Sequence, residues 1–284
     1  MITVKNVGFT YPGQIARAIH GINFQIKAGE IFGFLGPSGA GKSTIQKILI
    51  GILKRYEGSV QVLGQELREA GSAYFEQIGV AFEFPNFYSR FTALENLSLF
   101  RSLYQSNTVE PRQLLARLDL EKHANAKVSE FSKGMKMRLN LCRALLNQPE
   151  VLFLDEPTSG LDPVNTKLVK DIILEKKAEG KTVLITTHNM NIAAELCDQV
   201  AFIVDGQVKL ISSPKELMLS HNSRQIRVEY RQARELIQQD FALENLGQNA
   251  SFIKLLQDKQ IETIHTQEAS LEEIFIQVTG RKLA

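Results

Sequence analysis

Residues 30–53 read EIFGFLGPSGAGKSTIQKILIGIL. The run at 30–36 is apolar, rich in aromatics and closed by glycine, as a buried strand would be. From Lys42 onward, Ile45, Ile48, Leu49 and Ile52 fall at helical spacing, so a helix is expected over 42–53. The turn between them is Gly36-Pro37-Ser38-Gly39-Ala40-Gly41-Lys42-Ser43. It matches G-x-x-x-x-G-K-S/T, and its strand–turn–helix setting is the context the pattern requires. Its glycines let successive backbone N–H groups turn inward and form a concavity for phosphate oxygens. The helix that follows, with Thr44 in its first turn, presents its N-terminus to the same anion. Lys42 supplies a point charge to the terminal phosphates, and the Ser43 hydroxyl a ligand for Mg²⁺. A chance match in a glycine-rich turn has odds on the order of one per cent at average composition.

Outward from that turn, the next chemical feature is VLFLDE at 151–156. A buried parallel strand reads as an apolar run, and ligands bind at the carboxyl ends of strands in open α/β sheets. Two adjacent carboxylates there are poorly explained by packing. Asp155 suits Mg²⁺, directly or through a bound water. Glu156, expected on the opposite side of the strand end, can polarise an attacking water. A strand simply ending in solvated acids is the plain alternative, and the loop at 36–43 argues against it. The two motifs together imply binding and hydrolysis of a nucleoside triphosphate.

Strands and helices alternate along the rest of the chain. Strands are expected at 2–10, 18–27, 57–64, 78–83 and 182–188, and helical patterns over 91–148, 164–179 and 190–197. The stretch 199–211 reads as a strand pair turned at Asp205-Gly206. Such alternation implies a largely parallel sheet with helices packed on it. After Pro214 the character changes: a strand at 225–230, helical stretches, a strand at 260–266 and a helix at 270–280.

The composition narrows the partners. Of 284 residues, 44% are hydrophobic and 23% charged, and 33 basic against 31 acidic side chains leave a net charge of +2. A nucleic-acid binder would show a basic excess, so none is expected as partner. Cys142 and Cys197 lack metal-ligand spacing, which fits a reduced compartment. No signal-peptide pattern opens the sequence, and no run of about 18 apolar residues occurs. Any service to a membrane therefore runs through a partner.

Three further motifs identify the family. FSKGM (131–135) opens a helix before VLFLDE, PTSGLDP (157–163) follows it, and His188 closes TVLITTH. In that order they resemble ATP-binding-cassette (ABC) proteins over residues 2–213. SKGMK resembles the drug-export branch and the tail SLEEIFIQVTGRKL that of separately encoded exporter ATPases, which implies export of a drug, lipid or peptide powered by ATP-driven dimer closure. The resemblance implies that Tyr11 stacks on adenine and that His188 contacts the γ-phosphate and the attacking water. It implies that Ser132 and Gly134 bind the γ-phosphate held by a second copy, with Asp162 crossing the interface. The expected partners are transmembrane permease subunits and a second ATPase subunit, identical or not, at the cytoplasmic face of the membrane. ATP and Mg²⁺ are the expected cofactors. A soluble ABC protein of DNA repair or translation is the alternative. Repair members carry a long coiled-coil insertion, whereas about 110 residues separate Ser43 from Asp155 here; translation members carry two cassettes, and this chain has one.

The sequence departs from the family pattern at Lys133 and Met135, usually glycine and glutamine. A larger departure is Glu83, where the family has a glutamine that contacts Mg²⁺; a carboxylate there is counted as a metal ligand, with a solvated loop acid as the plain alternative. Residues 82–104 hold seven aromatics (Phe82, Phe84, Phe87, Tyr88, Phe91, Phe100 and Tyr104), where the chain average of 8% predicts about two. A partner-facing hydrophobic patch is expected among them. The expected architecture is an α/β P-loop NTPase core with a largely parallel sheet, an antiparallel β subdomain and a helical subdomain near 84–150. Together these make an ATP-binding domain over 1–213, followed by a small α+β domain over 214–284.

Overall fold

The computed structural model describes residues 1–221, 225–232, 235–267 and 269–281. Met1–Ser213 form one compact unit and Pro214–Arg281 a second. In chain order the first unit runs β1 (Ile2–Phe9), β2 (Ile19–Ile26), β3 (Ile31–Leu35), α1 (Lys42–Leu49), β4 (Glu57–Val62), β5 (Gln65–Glu66) and α2 (Ser72–Phe75). It continues through β6 (Ile78–Ala81), α3 (Ala93–Arg101), α4 (Pro111–Arg117), α5 (Lys133–Leu145), β7 (Val151–Asp155) and α6 (Pro163–Ala178). It closes with β8 (Thr182–Thr187), α7 (Met190–Leu196), β9 (Gln199–Val204) and β10 (Gln207–Ser212).

Six strands form the central sheet in the order β10-β9-β3-β8-β7-β6. All its pairings are parallel except the β9–β10 hairpin. All five residues of β3 and all six of β8 are buried, as strands covered on both faces must be. The hairpin turn has positive φ at both Asp205 and Gly206, the mirror-image turn that matches strand twist. A second, antiparallel sheet, β2-β1-β4-β5, shares one apolar core with β3 and α1.

The helical block between β6 and β7 is built on local signals. Thr92 and Glu95 form a reciprocal capping box on α3, Pro111 opens α4, and Ser132 caps α5. Helix α1 ends four residues earlier than its apolar spacing suggests. Gly51 adopts φ +78, and the Ile52 N–H folds back onto the Lys47 carbonyl. Ile52 therefore leaves the helix and stands exposed.

The second unit contains α8 (Pro214–Ser220), β11 (Gln225–Gln232), β12 (Glu235–Ala242), α9 (Ala250–Asp258), β13 (Gln260–Gln267) and α10 (Leu271–Thr279). Its sheet order is β12-β11-β13, over a small core of Val228, Tyr230, Phe241, Phe252 and Leu255. The expected helical character holds for α9 but not for 235–242, which is an edge strand. Only Phe241 of that strand is buried, so no alternation marks it in the sequence.

Candidate functional site

The carboxyl ends of β3, β7 and β8 meet at one cavity of about 650 Å³. It brings together Tyr11, residues 38–44, Glu83, Asp155, Glu156 and His188. Ser38, Gly39, Ala40, Gly41, Lys42, Ser43 and Thr44 thus line it, while Gly36 and Pro37 lie behind it. Gly39 and Gly41 adopt φ +78 and +106, which a side chain would resist. Gly41 is the N-cap of α1, and no side chain satisfies the helix there, so the first-turn N–H groups remain available to an anion. The β9–β10 turn braces the loop from behind, for the Gly206 N–H donates to the Ala40 carbonyl at 3.1 Å.

Lys42 curls over its own loop, donating to the Gly36 and Pro37 carbonyls at 2.6 and 2.9 Å. Burial pushes its pKa down, and the nearby carboxylates of Glu156, Asp155 and Glu83 oppose that shift. An incoming polyphosphate would offer the ammonium stronger, charged acceptors than these two carbonyls.

Asp155 is the last residue of β7 and lies opposite Thr186 of β8, whose hydroxyl donates to its carboxylate. Burial raises the Asp155 pKa; the Thr186 hydrogen bond opposes this, Glu156 reinforces it and Lys42 counters it. Glu156 lies beyond the strand. Its φ of +48 takes it out of the strand's pleat, and its carboxylate lines the same cavity as that of Asp155. Although only 8% exposed, Glu156 is fully engaged. Thr187 donates from Oγ1 to Oε2 at 3.0 Å, the His188 amide donates to Oε1 at 2.9 Å, and His188 Nδ1 lies 2.7 Å from Oε1. The Asn189 N–H donates to Thr187 Oγ1 at 3.0 Å and so fixes the direction in which that hydroxyl points its proton. Thr186 and Thr187 are the functional residues that motif reading missed. Their one sequence signal is a buried apolar strand ending in two hydroxyls before His188.

Ser132, Gly134 and Asp162 do not line this cavity. Ser132 caps α5 by accepting from the Met135 N–H at 3.1 Å. Asp162 caps α6 by accepting from the Asn165 N–H at 2.9 Å, a bond that holds its carboxyl below the usual range. The two helix starts are neighbours. A Cβ on Gly134 would lie 3.3 Å from Leu161, and one on Gly160 would lie 2.9 Å from the Lys133 stem.

The oxygen donors Ser43, Asp155 and Glu83 suit a hard divalent cation. Among the described residues, no group of three or more His, Cys, Asp or Glu side chains could hold a metal ion. Mg²⁺ is usually bound by one or two carboxylates together with phosphate oxygens and water, so this donor set fits an ion that arrives with its nucleotide.

A second cavity, of about 460 Å³, opens between the central sheet and the helical block, lined mainly by apolar side chains that include Phe75, Phe82, Phe100, Leu103 and Tyr104. Arg143 spreads over the Phe87 and Phe100 rings at 5.2 and 5.1 Å. Phe84, Tyr88 and Phe91 are exposed. Of the seven clustered aromatics, three thus line the cleft, three are exposed, and Phe87, half-buried, packs edge-on against Phe100. Ile52 and Phe75, which also line it, come from outside the cluster.

Residues 19–159 match the family model described as ABC transporter, and 224–268 match that of the fluoroquinolone efflux ABC transporter C-terminal domain. Along its whole length the chain is 49% identical to the fluoroquinolones export ATP-binding protein of Mycobacterium tuberculosis H37Rv, covering 94% of that protein. It is 39% identical over 223 residues to the Nod factor export ATP-binding protein I of Burkholderia orbicola, covering 77% of this chain and 73% of that one. Among solved structures, a dimeric post-hydrolysis ATP-binding cassette bound to ADP and Pi superposes with TM-score 0.68 at 29% identity, covering 75% of this chain and 98% of that one. An ATP-binding subunit of an ABC transporter superposes with TM-score 0.70 at 28% identity, covering 78% and 92%. With a relative this similar over nearly its full length, the chain belongs to the ABC transporter family as one of its ATP-binding, ATP-hydrolysing subunits.

Proposed function

We propose that the chain powers an exporter of fluoroquinolone-like drugs whose membrane-spanning subunits are separate chains. The convergence of the phosphate loop, Asp155, Glu156 and His188 on one cavity carries the ATPase half of this reading. The export half rests on the relatives' functions and on the matching carboxyl-terminal segment. Among the described residues no helix is long and apolar enough to cross a membrane, so a permease is needed. Its cytoplasmic loops would dock in the apolar cleft beside Phe82, Phe100 and Tyr104, holding the chain at the inner membrane face. The domain carrying this chemistry is 1–213, with 214–284 an accessory domain. A soluble role in DNA repair or translation is disfavoured, since the relatives reported above are named for export.

In the working cycle Tyr11 stacks on adenine, and residues 36–44 cradle the phosphates through backbone N–H groups, Lys42 and hydroxyls. Ser43, Asp155 and Glu83 would hold Mg²⁺, which when bound would supply screening of the phosphate charge. Glu156 accepts a proton from the attacking water, oriented by Thr187 and His188, and His188 contacts the γ-phosphate. Ser132 and Gly134, remote from their own chain's cavity, close on the γ-phosphate of a second copy, with Asp162 at the interface. Closure of the pair moves the clefts and drives the permease.

The test is loss of fluoroquinolone resistance when the chromosomal copy is replaced by Glu156→Gln, with restoration by the unmodified gene. Unchanged drug sensitivity would overturn the substrate assignment. The dimer has its own test. Ser132→Arg places a bulky side chain at the γ-phosphate position of the opposing site, so it should spare ATP binding by the monomer and abolish ATP-induced dimers. Light scattering in a Glu156→Gln background measures this, and persisting dimers would remove FSKGM from the interface.

Glu83 gives a third expected result. Glu83→Gln removes one carboxylate from the metal side, so the Mg²⁺ concentration for half-maximal hydrolysis should rise while metal-free nucleotide affinity stays unchanged. Superimposable Mg²⁺ titrations for the two forms would leave Glu83 without a metal role.

A further inference from the structure

Tyr11 is set in place by a tight turn. Its carbonyl accepts from the Gln14 N–H at 3.0 Å, Pro12 occupies the second position, and Gly13 has φ +79, a type II turn. The ring packs edge-on against Phe9 at 5.0 Å. Its hydroxyl lies 3.1 Å from Thr44 Oγ1, on the third residue of α1. Thr44 is only 7% exposed and lines the same cavity as Tyr11.

The hydroxyl of a helical threonine often donates to a carbonyl one turn back. Here the Thr44 hydroxyl makes no such bond among the described residues. Among the described residues Tyr11 is the hydrogen-bond partner of the Thr44 hydroxyl. Either hydroxyl could donate; the phenol is the stronger acid, which favours Tyr11 O–H as donor and Thr44 Oγ1 as acceptor. The Thr44 proton is then free to point into the cavity, where the polyphosphate lies.

We infer that Tyr11 is a positioning residue for phosphate binding: its hydroxyl holds Thr44 in the rotamer that donates to the polyphosphate. This role is separate from any contact between the ring and a base. It rests on the reading of the cavity as a nucleotide site. The consequence is that the base end and the phosphate end of the site are mechanically one piece. A nucleotide whose base displaces the Tyr11 ring loses phosphate affinity as well as stacking.

Inorganic tripolyphosphate, which has no base to stack, separates the two roles. Its binding to the full chain is measured by calorimetry beside that of ATP, for the unmodified protein, Tyr11→Phe, Thr44→Val and the double variant. Tyr11→Phe keeps the ring and should weaken tripolyphosphate and ATP by the same factor, about fivefold, the size of one net hydrogen bond. Thr44→Val should weaken both at least as much, and adding Tyr11→Phe to it should cost nothing more, since coupled residues do not add. Thr44→Ser, which keeps the hydroxyl, should restore the dependence on Tyr11. Tripolyphosphate affinity unchanged by Tyr11→Phe overturns the inference, as do additive losses in the double variant. Failure of the unmodified chain to bind ATP while remaining folded overturns the nucleotide-site reading itself, and the inference with it. The Tyr11→Phe comparison alone decides the matter if Thr44→Val does not fold.

Discussion

Glu156→Gln should bind ATP as the unmodified chain does and turn it over about 10²–10⁴-fold more slowly, the usual contribution of a general base. The amide has the shape of the carboxylate but cannot accept a proton from water. The surroundings tolerate it. Its carbonyl oxygen can still accept from the His188 N–H, replacing Oε1, and its amino group then faces Thr187 Oγ1. That hydroxyl must give up its donor role, and it already accepts from Asn189, so the exchange costs about one hydrogen bond, roughly 1 kcal/mol. Glu156 also keeps φ +48, a conformation available to glutamine at similar cost. The fold therefore survives, and the ATP-bound dimer should accumulate because hydrolysis no longer reopens it. Phosphate release, nucleotide binding and light scattering measured on one preparation check all three statements. Near-normal phosphate release would remove Glu156 from the role of base.

Why some of this was legible and some was not follows from how local each signal is. The turn at 36–43 carries its own context, a strand before and a helix after, so eight residues suffice to read it. The apolar strand ending in Asp155 and Glu156 is similarly self-contained. The left-handed backbone at Glu156 was not legible, because it depends on how the chain leaves β7. Thr186 and Thr187 became visible only once the β7–β8 register set them against the two carboxylates. The apolar cleft draws Ile52 from outside the aromatic cluster because Gly51 ends α1 early, and Phe75 from α2, which is distant from the cluster in sequence. Strand β12 escaped for a different reason. It is an edge whose side chains are nearly all exposed, and tertiary pairing with β11, not patterning, makes it a strand.

Gly36→Ala should weaken ATP binding about 10–100-fold and also destabilise the nucleotide-free protein. An added Cβ would lie 2.1 Å from the Ile203 carbonyl oxygen and 3.4 Å from the Ala40 Cβ. A Cβ cannot stand that close to backbone, so either the loop or β9 must move. Strand β9 is held on both sides, by β3 with Leu35 opposite Phe202 and by β10 with Val208 opposite Ile203. The loop has fewer ties, chiefly the Gly206 N–H on the Ala40 carbonyl, so it is the part that shifts. Its displacement misaims the N–H groups that would meet the phosphates and pulls away the Gly36 carbonyl on which Lys42 rests. Overpacking of this kind costs typically 1–3 kcal/mol. If the bound state bears a comparable penalty, ATP affinity falls about 10–100-fold, and Tm drops by several degrees. Gly39→Ala is the informative companion. It meets nothing within 4 Å and incurs only the strain of φ +78, about 1 kcal/mol. Thermal unfolding without nucleotide should therefore rank Gly36→Ala below Gly39→Ala, and both below the unmodified chain. Equal melting temperatures for the two variants would mean that backbone conformation, and not the close approach of Gly36 to β9, holds the loop in shape.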